Sequence, residues 1–330
     1  MNDRARPDRT CAMNSEIRVA VECAARHAVQ FLLRSQDQDG AWRDFQLKPG
    51  RAESWTTAYV GSCLLAARER WADLHVDERV DRGADFLYAS RQPGGWSYNQ
   101  RCASDADTTA QVILFFHRAG KPVAMRDFAA LAKFQVADGH FATYRSCGGR
   151  RGWECGHAEV TAVAMQTIGK VIGANHSILR RAESGLQLHL NGGHAAESYW
   201  WLSRDYLPRE LLILARSYPG APELFVRSDR SLREGSVFDR ALALEVSVMT
   251  DGFPEELDTA IAELVELQSA DGSWPVAPIL RITDHHALDF DDPRFNQSVV
   301  AADDRGIFTS ATVLRALARL CACPQLSPGS

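Results

Sequence analysis

Two kinds of helical stretch alternate along the chain. Stretches of the first kind, such as residues 21–36 and 258–268, have one apolar and one polar face, and each ends at a turn that contains glycine. Stretches of the second kind are apolar around most of their circumference; there are six, at residues 54–70, 104–120, 157–173, 206–218, 236–249 and 308–320. A helix that is apolar all round has to be buried, whereas an amphipathic helix can lie at the surface. The pattern therefore predicts inner helices surrounded by outer ones.

The turns themselves repeat. The segments SQDQDGAW, RQPGGW, QVADGHF and QSADGSW begin at residues 35, 91, 135 and 268, and LNGGH at 190–194 is a fainter copy. A glycine turn after an amphipathic stretch is a common way to end a helix. Because antiparallel helix pairs joined by short loops pack side by side, the repeat predicts an all-α protein, a single (α/α)6 barrel or toroid. We expect the barrel to span residues 15–322, with a loosely attached tail at 1–14 and a flexible tail at 323–330.

Composition narrows the class of protein. A chain of 330 residues with a formal net charge of −5 lacks the basic surface that nucleic-acid binding requires. No apolar run is long enough to cross a bilayer, and the first residues are too charged for a signal peptide, so we expect a cytoplasmic protein, as a monomer or homodimer. The eight cysteines show no paired metal-binding spacing, and we interpret Cys155-Gly156-His157 as a loop leading into a helix. The sequence predicts no metal site and no cofactor.

The openings of the inner helices align on a hydroxyl-bearing residue. Two residues before this anchor (Thr57, Thr109, Thr161 or Ser310) the chain places Trp55, Asp107, Glu159 and Phe308. Equivalent positions in a closed ring face the same end of one cavity, and Tyr206 is expected to join them. Carboxyl groups are costly to bury without partners, so core packing alone does not explain this set.

The segment Asp105-Ala106-Asp107-Thr108-Thr109-Ala110 resembles the DxDD(T)A motif of squalene-hopene cyclases and other class II terpene cyclases, and the glycine turns resemble their QW repeats. Among relatives, single-barrel proteins of the prenyltransferase and squalene oxidase repeat family are the closer match. The resemblance implies that Asp107 protonates an alkene or epoxide and that Asp105 supports it. Thr108 departs from the pattern, since the fourth residue of the motif in squalene-hopene cyclases is an aspartate. The family's histidine partner of the acid falls near Val163, so we expect His157 or Glu159 to replace it.

A carbocation needs a dry cavity with electron-rich walls, which aromatic side chains provide. The expected substrate-binding residues, together with Thr108, are Trp55, Phe115, Trp153, Tyr199, Trp200, Tyr206 and Phe308, and the wider set of aromatic candidates adds Tyr98, Phe116, Phe141 and Trp201. Trp42, Trp96 and Trp274 follow the turns and are expected to be structural.

The segment 274–305 reads as a loop of about thirty residues, which we expect to form a lid over the barrel mouth. Its acidic run Asp289-Phe290-Asp291-Asp292 is similar to the magnesium-binding acids of ionising terpene synthases but lacks their helical context. Mg²⁺ would be needed only if the substrate is a diphosphate. Arginines near other turns could hold such a group: Arg51, Arg101, Arg145, Arg150 and Arg151.

The resemblance implies cyclisation of a linear isoprenoid substrate of fifteen to twenty carbons, with its diphosphate or meroterpenoid head group retained. Two alternatives remain open, a protein prenyltransferase β-like subunit and a non-catalytic isoprenoid-binding barrel. The zinc ligands of the former have no convincing match here. A carbohydrate-active barrel with two carboxylates is a further possibility, although the apolar neighbours of Asp107 argue against it.

Overall fold

The prediction of a predominantly helical protein is confirmed. A computed structural model describes residues 13–145, 149, 151–192, 197–218, 231–250 and 255–326. Within these residues lie eleven α-helices and three two-stranded antiparallel sheets. The helices are α1 Ser15–Arg34, α2 Ser54–Arg70, α3 Asp77–Ala89, α4 Ala106–Arg118, α5 Met125–Ala132, α6 Ala158–Val171, α7 Ser177–Leu190, α8 Tyr206–Ser217, α9 Val237–Met249, α10 Leu257–Glu266 and α11 Ile307–Ala322. The strands are β1 Asp44–Leu47, β2 Gly50–Ala52, β3 Phe141–Ala142, β4 Gly156–His157, β5 Pro278–Ile282 and β6 Val299–Ala302.

The six all-apolar stretches are helices α2, α4, α6, α8, α9 and α11, and their ends differ from the predicted ones by two residues or fewer. Each packs against the next in this order, and α11 packs back against α2. The contacts therefore close a ring. The amphipathic helices lie against it: α1 on α2 and α11, α3 on α2, α5 on α4, α7 on α6 and α10 on α9. Part of the connection between α8 and α9 lies outside the described residues.

The glycine turns join each outer helix to the following inner helix through a repeated set of hydrogen bonds. The indole N–H of Trp42 donates to a backbone carbonyl of α1, at 2.7 Å from Leu32 O, and its backbone N–H donates to the Thr57 hydroxyl at 2.9 Å. Trp96 with Thr109 and Trp274 with Ser310 repeat both contacts. These bonds explain why each anchor residue carries a hydroxyl and support a structural role for the three tryptophans.

Neighbouring outer helices are also tied together at the turns. The amide of Gln36, at the end of α1, donates to the carbonyl of Arg79 on α3 at 2.8 Å. At Gly40 in this turn φ is +95°, and a β-carbon would lie 2.3 Å from the carbonyl oxygen of Arg82. Only glycine fits such an approach. This turn thus joins α1 to α3.

Segment 274–305 is not the loop that the sequence indicated, because β5 and β6 form an antiparallel hairpin within it. Alternation in these short strands is too weak to be recognised in the sequence. Hydrogen bonds join β5 to the residues before α8, from Leu202 N to Ile279 O and from Arg281 N to Trp200 O. The segment therefore packs at the N-terminal ends of inner helices.

The described chain remains packed beyond α11. Pro324–Leu326 form a 3-10 turn, Leu326 is buried, and its carbonyl accepts a hydrogen bond from the Arg18 side chain. The expected tail at 323–330 is thus folded at its start, and residues 327–330 lie outside the described residues. Across the described ranges, the helices are all too short or too polar to cross a membrane.

Candidate active site

Asp107 lies in the first turn of α4 on the face that looks into the ring. Residues 107, 111, 114 and 118 are partly accessible, whereas Val112, Ile113, Phe115 and Phe116 beside them are buried. This spacing of three to four residues marks one side of a helix. Because other helices surround α4, the accessible stripe borders open space inside the ring.

The surroundings of Asp107 favour its neutral form. Burial raises the pKa of its carboxyl group well above the usual value, and the nearby carboxyl groups of Asp105, Glu159 and Glu210 raise it further. Among the described residues, no hydrogen bond or ion pair engages this side chain. The Asp107 carboxyl group is therefore shifted toward its protonated form, and no described protein group competes for its proton.

Asp105 is held differently. Its carboxylate caps α4 by accepting the backbone N–H of Thr108 at 2.6 Å and the Thr108 hydroxyl at 3.0 Å, and it also accepts the N–H of Tyr98 at 3.0 Å. Burial raises its pKa to about 7 against the opposing effect of these bonds. Asp105 and Thr108 thus fix the first turn of α4, and Asp107 lies in that turn between them.

Glu159 and His157 lie at the start of α6. A Glu159 oxygen accepts the backbone N–H of Trp200 at 2.9 Å, and burial raises its pKa to about 7. His157 stacks on Tyr199 at 4.1 Å, and burial lowers its pKa to about 3, so the imidazole is neutral. In the described structure neither side chain hydrogen-bonds Asp107, contrary to our expectation. Glu159 acts on Asp107 through its charge.

An aromatic cluster fills the ring beside Asp107. Between ring centroids, Phe308 lies 4.7 Å from Trp55 and 3.9 Å from Tyr59, and Trp201 stacks on Tyr206 at 3.6 Å. The ring of Trp201 also lies 5.7 Å from that of Trp55, which joins these two groups of rings into one cluster. The structure therefore brings together three expected residues from three inner helices. Tyr59, Phe45 and Phe238 belong to the same cluster and were missed, although Tyr59 is one turn after Trp55 on the same face.

Three other expected residues form a separate group under the β5–β6 segment. Trp200 contacts both other residues, with its ring centroid 5.4 Å from that of Trp153 and 5.1 Å from that of Tyr199. The Tyr199 hydroxyl donates to the carbonyl of Ala287 at 2.7 Å. Phe115 belongs to neither group. Its ring occupies the space beside Gly61 of α2, where a β-carbon on Gly61 would lie 2.4 Å from the Phe115 ring. We therefore correct its assignment from substrate binding to packing between α2 and α4.

A cavity of about 760 Å³ opens inside the ring toward the C-terminal ends of the inner helices. The residues that line it include Tyr59, Gln111 and Glu210. These lie four residues after Trp55, Asp107 and Tyr206, in that order. Because four residues make about one helical turn, the cavity reaches to within one turn of Asp107. Its volume is in the range of small-molecule sites, about 300–1,000 Å³.

The walls of this cavity carry charges that the sequence analysis missed. Glu245 of α9 is completely buried and bonds Arg209 at 2.6 Å, Arg315 at 2.9 Å and Arg319 at 3.2 Å. Arginine within the apolar helices α8 and α11 was the available signal, because a charge inside a buried helix requires a partner. This network connects three inner helices below the aromatic cluster.

The arginines that the sequence suggested for a diphosphate lie elsewhere. Arg51, Arg101, Arg145 and Arg151 are exposed, Arg51 pairs with Asp304 at 2.6 Å, and Arg150 lies outside the described residues. In the acidic run, Asp292 pairs with Arg294. Within the described ranges, no three or more His, Cys, Asp or Glu side chains cluster closely enough to hold a metal ion.

Comparison with solved structures places the fold among known proteins. MstE from Scytonema, a type II terpene cyclase solved in complex with geranylgeranyl dihydroxybenzoate, is 23% identical, with 94% of this chain and 100% of that chain covered and a TM-score of 0.75. The ent-copalyl diphosphate synthase from Streptomyces platensis is 15% identical over 81% of this chain and 50% of that chain, with a TM-score of 0.54. An unsaturated glucuronyl hydrolase specific for heparin is 10% identical over 94% of this chain and 100% of that chain, with a TM-score of 0.57. No protein-family model and no curated protein matches the sequence.

Proposed function

We propose that this chain is a class II terpene cyclase, an (α/α)6 barrel in which Asp107 protonates the terminal alkene of a linear isoprenoid. The observation that carries the proposal is the state of Asp107: a carboxyl group deep in the ring, with its pKa raised well above the usual value and no described ion-pair partner. The aromatic cluster next to it supplies the second requirement, electron-rich faces around a cation. The fold shared with MstE supports the same conclusion.

Proton transfer from Asp107 forms a C–H bond at the terminal alkene carbon and leaves a tertiary cation with an Asp107 carboxylate. Attack by the next double bond on the cation forms a ring and moves the charge along the chain. Loss of a proton from carbon, ultimately to solvent, ends the sequence, and solvent returns a proton to the Asp107 carboxylate, so one proton enters the hydrocarbon and one leaves. Burial raises the pKa values of Asp105 and Glu159 to about 7, so each is only partly ionised near neutral pH and disfavours the Asp107 carboxylate less than a full charge would.

The proposed substrate is a prenyl chain of fifteen to twenty carbons whose head group stays attached. The cavity of about 760 Å³ inside the ring supports a substrate of this size. MstE was solved with geranylgeranyl dihydroxybenzoate, and we extend that substrate class, a prenyl chain on an acidic aromatic head, to this protein as a candidate beside the free diphosphates.

The decisive experiment is turnover in D₂O. The protein is incubated with farnesyl diphosphate, geranylgeranyl diphosphate and geranylgeranyl dihydroxybenzoate, with and without Mg²⁺, and products are analysed by mass spectrometry. We expect a cyclised product that retains its head group and carries one deuterium from solvent. Asp107→Asn should abolish the product and leave ligand binding intact. Release of pyrophosphate, or a product without deuterium, would contradict the proposal.

A carbohydrate-active barrel is the competing function, because the cavity walls carry charged side chains and the heparin-specific glucuronyl hydrolase shares the fold. Release of sugar from unsaturated glucuronides by the wild-type protein, with no turnover of any prenyl substrate, would favour it. A barrel that only binds isoprenoids would bind the three prenyl ligands without converting them.

A further inference from the structure

The cavity at the C-terminal ends of the inner helices holds an excess of positive charge. Its cationic lining residues are Arg70, Arg118, Lys170, Arg209, Arg315 and Arg319. The carboxylates available to them are Glu69 and Glu210 in the lining and Glu245 behind it. The cations therefore outnumber the acids by two to one.

Some of these cations destabilise one another. Burial lowers the pKa of the Lys170 ammonium, and the nearby guanidinium groups of Arg118, Arg319 and Arg209 lower it further. Lys170 has no ion pair within the described structure. Like charges that converge in a cavity are stabilised when an anion binds between them.

Helix dipoles explain only part of this arrangement. Arg118, Lys170 and Arg319 lie in the last turns of their helices, where a cation complements the partial negative charge of the helix end. Arg209 is in the first turn of α8 and Arg315 is in the middle of α11, so the same reason does not apply to them. Both are buried and are held by Glu245 beside the cavity.

The cluster also lies at a suitable distance from the acid. Asp107 and Arg118 are eleven residues apart on α4, which places them about 16 Å apart along the helix axis. A chain of three isoprene units has twelve backbone carbons joined by eleven bonds of about 1.5 Å each, and so a comparable extended length. A prenyl ligand with its head among the cations can reach Asp107 with its tail.

We propose that Lys170, Arg209, Arg315 and Arg319 form the binding site for the anionic head group of the prenyl substrate, a diphosphate or an aromatic carboxylate. The inference rests on the proposed function and adds to it the class of head group and the direction of binding. The tail enters first and the head group stays near the C-terminal ends of the inner helices. This is the end opposite to the exposed arginines of the N-terminal turns.

Equilibrium binding to the full-length Asp107→Asn protein tests the site without turnover. Binding of geranylgeranyl diphosphate, geranylgeranyl dihydroxybenzoate and the uncharged geranylgeraniol is measured by calorimetry in the Asp107→Asn background and with Arg319→Gln or Lys170→Gln added. Each added change should weaken the anionic ligand about tenfold or more, as expected for a charged hydrogen bond, and leave geranylgeraniol unaffected. The two anions distinguish a diphosphate site from a carboxylate site.

Arg68→Gln is the matched control, because Arg68 also lies in the last turn of an inner helix but does not line the cavity. It should leave binding of all three ligands unchanged. Removal of Lys170 relieves repulsion, so its variant is expected to stay folded, which a thermal scan checks. Anions that bind no more tightly than the alcohol, or equal effects of Arg319→Gln and Arg68→Gln, would overturn the inference.

Failure of this inference can be told apart from failure of the proposed function. Deuterium incorporation that depends on Asp107, together with charge-independent binding, removes the head-group site and leaves the cyclase. Charge-dependent binding without any cyclised product supports the head-group site and contradicts the cyclase function.

Discussion

Replacement of Glu159 by glutamine tests whether the acids around Asp107 are kept protonated by the fold. Glutamine has nearly the same shape, and its amide oxygen can still accept the Trp200 N–H that now donates to Glu159 at 2.9 Å. The substitution therefore removes the ionisation and keeps the main hydrogen bond. Any cost of burying the amide group is the same at every pH, so the pH-dependent part reports on the carboxyl group.

The expected size follows from the pKa of Glu159, which burial raises from the ordinary 4.5 to about 7. Below pH 4.5 the side chain is protonated in both the folded and the unfolded chain, and wild type carries no penalty. As the pH rises toward 7, the unfolded chain releases this proton and the folded chain does not, so the folded state loses stability. Above pH 7 the loss is complete and amounts to roughly 3 kcal/mol, at about 1.4 kcal/mol per pKa unit.

Urea unfolding of both proteins between pH 4.5 and 8.5 measures this difference. Relative to wild type, Glu159→Gln should gain up to roughly 3 kcal/mol as the pH increases over this range. Glu263→Gln provides the control, because Arg233 lowers the pKa of this partly exposed glutamate, so its contribution is lost mainly below pH 4.5 and should change little over the measured range. If the stability of Glu159→Gln relative to wild type does not change with pH, the fold does not hold this carboxyl group in its neutral form.

Two further predictions concern the ring and the aromatic cluster. Thr109→Val leaves the buried backbone N–H of Trp96 without its acceptor and should lower the free energy of unfolding by about 1–3 kcal/mol. Urea titration measures this change, and an unchanged value would mean that the repeated hydroxyl is dispensable. Trp201→Leu removes a ring from the cluster beside Asp107 and should increase the share of incompletely cyclised products, whereas Phe115→Leu should reduce stability and leave the product ratio unchanged. Chromatography of the products distinguishes the two, and a shifted product ratio for Phe115→Leu would restore it as a cavity residue.

Periodicity along the chain was sufficient to predict the helices and their arrangement in two classes. Helices that are apolar all round avoid water only when other helices surround them. The six stretches from residue 54 to residue 320 therefore identified the inner set, with ends correct to two residues. The hydroxyl anchors Thr57, Thr109 and Ser310 were visible as an alignment because a repeated backbone contact requires the same side chain at each repeat. Asp107 was singled out in the same way, by its fixed offset from an anchor.

What each side chain contacts was decided by the tertiary structure. Phe115 and Trp201 are both aromatic residues near an inner helix, yet one packs between two helices and the other faces Tyr206, because rotation about the helix axis and the path of the preceding loop set their directions. The partner of Arg315 is Glu245, seventy residues away, and no local pattern connects them. Short-range order thus fixed the elements and the acid, whereas the charged cavity depends on pairs that meet only when the ring closes.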